Sequence, residues 1–134
     1  MSETTTTMTR LEMVREEYNR LLRRYDGKLD RLTLKMNEDY EYFFRWHSAE
    51  MYKHTVNLRA LRDLKPLFYE KSEDEVKAAL QRHISNIESK LIEGCQLPSS
   101  TSLMMNAADS ISREAKQELR NEFMNLLWIL EEQA

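Results

Sequence analysis

Residues 10–62, RLEMVREEYNRLLRRYDGKLDRLTLKMNEDYEYFFRWHSAEMYKHTVNLRALR, decide the fold, because one stripe threads all of them. It runs through Leu11, Val14, Tyr18, Leu22, Tyr25, Leu29, Leu32, Met36, Tyr40, Phe43, His47, Met51, His54, Leu58 and Leu61, and only the two histidines interrupt its apolar character. Its members recur every ~3.57 residues on average, between the coiled-coil repeat and that of a straight helix. Thr9 followed by Glu12 has the form of a capping box, and Met8 with Met13 has the spacing of a hydrophobic staple, so the helix starts near residue 10. Pro66 disfavours helical backbone at Lys65 and ends it by about residue 63. A continuous helix over 10–63 would be ~78 Å long.

The rod has one rival. Asp26-Gly27 is a turn dipeptide, and glycine inside a helix costs about 1 kcal/mol relative to alanine. The stripe nevertheless keeps its phase from Tyr25 through Leu29 to Leu32, which favours a continuous helix over a hairpin at Gly27.

Further along, Ser72 with Glu75 forms a second capping box, and Val76, Leu80, Ile84, Ile87 and Leu91 define a second helix over about 73–93, stopped by Gly94. Cys95 to Ser102 reads as a loop. A third helix over about 103–132, with a start anywhere from 102 to 112, carries Met104, Ala108, Ile111, Ala115, Leu119, Phe123, Leu126 and Leu130. Its last turns, Phe123 to Leu130, are apolar on nearly every side except Asn125, so they call for more than one neighbour.

Composition agrees with helices. The chain has 134 residues with only two Gly and two Pro, and Val plus Ile number 8 against 26 Leu plus Met. Too few turn formers remain for a barrel, a sandwich or a doubly wound sheet. The expected fold is all-α and single-domain over 10–134, with residues 1–9 a flexible tail. The long first helix and two shorter ones would form an antiparallel three-helix bundle around Tyr40 to Leu61, leaving Leu11 to Met36 as a coiled coil. The alternative is a four-helix bundle with its hairpin at Gly27.

Function follows from the bare stripe. Each apolar side chain left in water and later covered contributes about 1.5–3 kcal/mol, a strong drive toward a second chain. The partner-binding residues expected are Leu11, Val14, Tyr18, Leu22, Tyr25, Leu29 and Leu32 on the coil, with Phe123, Leu127, Trp128 and Leu130 near the C-terminus. The aromatics Tyr40, Tyr42, Phe43, Phe44 and Trp46 are assigned to core or interface, with Phe44 off the stripe on a second packing face. This describes a non-enzymatic helical subunit or adaptor, dimeric or in a hetero-complex, of the kind found in cytoskeletal, division or trafficking machinery.

Other chemistries fare worse. A net charge of -3 provides no general attraction to nucleic acid or anionic lipid. The basic run Arg15, Arg20, Arg23, Arg24, Lys28, Arg31 and Lys35 is interleaved with Glu16, Glu17, Asp26 and Asp30 and reads as a solvated face. Nucleic acid remains the weakest alternative. There is no Gly-rich phosphate loop, no nucleophile in a recognisable setting and no paired carboxylate off the ordinary helix surface, so no catalytic residue is assigned.

No cofactor or metal is expected, although a four-helix bundle that binds a metal or small ligand at His47, Glu50 and His54, with help from His83, is the alternative. Seven residues separate the two stripe histidines by ~10.5 Å along a helix, too far to share one ion without help from another helix. They read better as packing residues or a pH-sensitive contact. A single cysteine, Cys95, rules out an internal disulfide and suggests a reducing compartment, cytoplasm or nucleus. The N-terminal residues MSETTTTMT lack the apolar core of a signal peptide, and no segment approaches the length of a membrane span.

Overall fold

The computed structural model describes residues 8–96 and 103–131, with side chains described for 8–93 and 105–131. Five helices follow in order: α1 Arg10–Glu38, α2 Tyr40–Arg62, the one-and-a-half-turn α3 Lys65–Glu70, α4 Glu73–Gln96 and α5 Leu103–Glu131. The fold is all-α, with no strand among the described residues.

The rod does not exist. α1 runs unbroken through Gly27, whose φ is not positive, and the chain reverses at Asp39. That residue is extended (φ -154°, ψ 93°) and closes both helices at once. Its N–H donates to the Lys35 carbonyl at 3.1 Å, ending α1. Its carboxylate accepts the Tyr42 N–H at 3.1 Å and its carbonyl the Phe43 N–H at 2.9 Å, starting α2. An aspartate in extended backbone satisfies the orphan amides of a new helix, so a single residue suffices as a turn.

α2 therefore returns antiparallel along α1. The Tyr18 hydroxyl donates to the Leu61 carbonyl, the Tyr25 ring meets His54 edge-on at 5.3 Å, and Arg62 pairs with Asp26 at 2.6 Å. Both the uncovered coil and the reversal at Gly27 are corrected by this hairpin, and four long helices replace the expected three. The physical reason is that the two arms of a hairpin point their stripes at one shared core, so Leu32 and Phe43 are both buried across the turn while the repeat in the sequence runs straight through it.

α5 runs parallel to α2 and packs into the hairpin. The buried Asn57 amide donates to the Ala115 carbonyl at 3.0 Å, Lys53 bridges Glu114 and Glu118 at 3.3 and 3.0 Å, and Arg24 pairs with Glu122 at 3.0 Å. α4 runs antiparallel to α5, with Gln81 on Glu131 at 3.3 Å and Arg120 on Glu88 at 2.7 Å. The four long helices thus alternate in direction, and α3 closes the end opposite the hairpin turn. There Phe68 stacks on Tyr18 with ring centroids 4.3 Å apart, and Arg15 donates to the Phe68 carbonyl. A single core joins Val14, Tyr18, Leu21 and Tyr25 of α1 to Leu58, Leu61, Val76, Leu80, Phe123, Leu126 and Leu130.

Both capping boxes form: Thr9 with Glu12, at 2.8 and 3.1 Å, and Ser72 with Glu75, at 3.0 and 3.2 Å. Each holds its glutamate below the usual carboxylate range, because the backbone N–H of the cap favours the ionised form. α4 passes Gly94 and Cys95 and reaches Gln96, so Cys95 is helical and not in the expected loop; most of that loop, 97–102, lies outside the described residues, as do 1–7 of the tail and 132–134.

Candidate functional site

The segment Tyr40-Glu-Tyr-Phe-Phe-Arg-Trp46 opens α2 beside the hairpin turn. At 100° per residue, five aromatics in seven positions cannot share one helical face. Phe43 takes the inward direction and is buried beside His47, with ring centroids 6.1 Å apart. The others splay to either side of it. Tyr40 and Phe44 lie on one flank, stacked at 6.4 Å, while Tyr42 and Trp46 lie on the other, where Tyr42 tilts against His47 at 5.9 Å. All four are exposed, Trp46 most of all at 65%, and Leu34 of α1 adds 64% exposure at the same end.

The Tyr42 and Trp46 flank is the side of α2 on which Lys53 and Asn57, two turns later, reach α5. α5 does not cover it at the hairpin end, where residues 107–110 are all exposed. Among the described residues these aromatics therefore stand in water rather than against a third helix. Around them stand Arg31, Lys35 and Arg45 with Glu38, Asp39 and Glu41, charges of both signs that leave no net field.

The residues expected to bind a partner are divided by the structure. Val14, Tyr18, Tyr25 and Leu32 are buried in the chain's own core, and Leu11, Leu22 and Leu29 are half-buried there, so the hairpin already covers the N-terminal stripe. Burial pushes the Tyr18 hydroxyl up to about 12, and Tyr25 is raised by burial and by neighbouring Glu122, which its hydroxyl meets at 3.3 Å. Phe123 and Leu130 are core as well, Leu127 is half-buried, and Trp128 alone of that group is exposed, at 62%, one turn after exposed Met124. The Tyr40 to Trp46 cluster, assigned by the sequence to core or interface, holds four exposed aromatics. Its signal in the sequence was angular: aromatics at 40, 42, 43, 44 and 46 exceed what one buried face accepts.

His47, Glu50 and His54 do come together, with Glu50 reaching His47 Nδ1 at 3.6 Å and His54 Nε2 at 3.8 Å. Both separations are longer than a hydrogen bond. His83 lies elsewhere, tilted on Phe123 at 5.7 Å. Among the described residues there is no group of three or more His, Cys, Asp or Glu placed to hold a metal ion.

The basic run is largely engaged: Arg15 with the Phe68 carbonyl, Arg20 with Glu16 and Glu17, Arg24 with Glu122, and Lys28 over the Tyr25 ring at 5.8 Å. An open groove of about 570 Å³ between α4 and α5, lined by Glu88, Leu91, Ile92, Gln117, Arg120 and Asn121, is crossed by the Arg120 to Glu88 ion pair. No described helix is long and apolar enough to cross a membrane. No protein-family model, curated protein or solved structure matches the chain.

Proposed function

We propose that this bundle is a non-enzymatic protein-interaction module, a helical subunit or adaptor that docks on another protein through the hairpin end. The observation that carries the reading is the exposure of Tyr40, Tyr42, Phe44 and Trp46 together on the first two turns of one helix. Scattered apolar residues on a surface are ordinary, but four exposed aromatics on two turns of one helix are costly in water and are typical of protein interfaces, where Trp and Tyr anchor the contact. Mixed charges around the patch favour a protein surface over an anionic lipid or a nucleic acid. Trp128 and Met124 provide a smaller second contact on the outer face of α5.

The test is site-specific photocrosslinking in the native source, with the crosslinker at position 46 and, as a control, at exposed Arg82 of α4. A defined adduct is expected from position 46 and not from 82, and Phe44→Ser should reduce it by about tenfold or more while leaving the thermal melt unchanged. Equal adducts from both positions, or none from 46, would refute the assignment. The mass of the adduct distinguishes a second copy of this chain from another protein.

A further inference from the structure

The hairpin holds a buried imidazole that the docking surface does not use. His54 is 6% exposed on the inner face of α2, edge-on to Tyr25 of α1, one residue from Lys53 and three from Asn57, both of which bind α5. Its Nδ1 is buried without any hydrogen-bond partner. Its Nε2 faces Glu50 at 3.8 Å, longer than a hydrogen bond.

We propose that His54 makes the seam between the α1–α2 hairpin and α5 sensitive to protonation, closed when the imidazole is neutral and loosened when it is charged. A neutral imidazole has one N–H and leaves only a lone pair unsatisfied at Nδ1. An imidazolium has two N–H groups, and the one at Nδ1 would be a buried charged donor with no acceptor, an arrangement proteins avoid.

The neighbours do not rescue it. On α2, Glu50 is largely in solvent and shared with His47, while Lys53 is cationic. Across the seam, α1 presents Tyr25 and the cation Lys28, and α5 presents Glu118, already bound to Lys53, and Glu122, occupied by Arg24 and the Tyr25 hydroxyl. Burial is the largest influence and Lys28 adds to it, so His54 is held below the usual histidine value against the pull of Glu50 and Glu118.

A group whose folded pKa is depressed binds its proton more readily in the open chain. The stability it provides is complete above the ordinary histidine pKa of about 6.5, and it declines as pH falls from there toward the folded value. The decline approaches about tenfold in the folding constant per pH unit for one such proton. His83, half-buried against Phe123 and beside Arg82, is shifted the same way and must be separated by mutation.

Hydrogen exchange between about pH 7 and about pH 5, normalised for intrinsic rates, is the experiment, on the full chain and on His54→Phe and His83→Gln. Protection at the α2 and α5 amides around Asn57 and Ala115 is expected to fall in acid in the parent and in His83→Gln, and to fall clearly less in His54→Phe. Equal acid loss in His54→Phe and the parent overturns the proposal. If His54→Phe does not fold, NMR titration of the imidazole in the parent decides: a pKa below the free value supports the seam, and one at or above it refutes it.

Discussion

The two ends of the bundle treat the same residue types in opposite ways. At the α3 end, Tyr18 and Phe68 are stacked and wholly excluded from water, and the Tyr18 hydroxyl is satisfied by the Leu61 carbonyl. At the hairpin end, Tyr40, Tyr42, Phe44 and Trp46 face solvent. Propensity cannot explain the contrast, since both sets sit in regular helix; the number of helices that converge does. All five helices contribute to the core near Tyr18, whereas Leu32 and Phe43 of α1 and α2 are what the hairpin end buries. One end buries its aromatics. The other leaves four of them exposed, which is the basis of the docking proposal.

Deleting one aromatic at each end breaks or sharpens this contrast most. Phe68→Ala removes a fully buried ring and its stack on Tyr18, and should cost about 3–5 kcal/mol in urea denaturation. Trp46→Ala should stay within about 0.5 kcal/mol of the parent, although tryptophan is the larger side chain. Comparable losses at the two sites would mean that the hairpin end is packed and has no free docking face.

Asp39 links the ends, because the reversal there puts α2 alongside α1. Asp39→Ala removes the carboxylate that accepts the Tyr42 N–H and is expected to cost about 1 kcal/mol, with Asp39→Asn nearly neutral because asparagine caps equally well. A denaturation midpoint unmoved by Asp39→Ala would show that helix packing alone fixes the turn.

These magnitudes also show what was legible beforehand. Fold class, the capping boxes at Thr9 and Ser72, and the continuity of α1 through Gly27 were all written in local chemistry and spacing. The reversal at Asp39 was not, for a specific reason. Hydrophobic periodicity records which residues face a core, and Leu32 and Phe43 face the same core whether the chain continues or folds back. Tyr40 was the missed clue: it sits on the stripe yet is 64% exposed, as expected of a first-turn residue with no helix above it. The same ambiguity hides which apolar residues stay exposed. Once α2 covers the N-terminal stripe, the unmatched apolar residues are those that the angular crowding of Tyr40 to Trp46 forces off the buried face.

Gly27 offers the finest discrimination between a hinge and an ordinary helical position. Its backbone is not in the left-handed region, and an added Cβ would meet only the tip of Arg31, with Nη1 at 3.7 Å, a normal contact. Alanine there should therefore stabilise the chain by about 0.5–1 kcal/mol, since it restricts the unfolded backbone without crowding the folded one. If α1 had to bend at Asp26-Gly27 for the hairpin end to engage a partner, Gly27→Ala would raise the melting temperature yet weaken the crosslink from position 46. A rigid α1 predicts the first change without the second, because the surface formed by Tyr40, Tyr42, Phe44 and Trp46 depends on the turn at Asp39 and on no motion at Gly27.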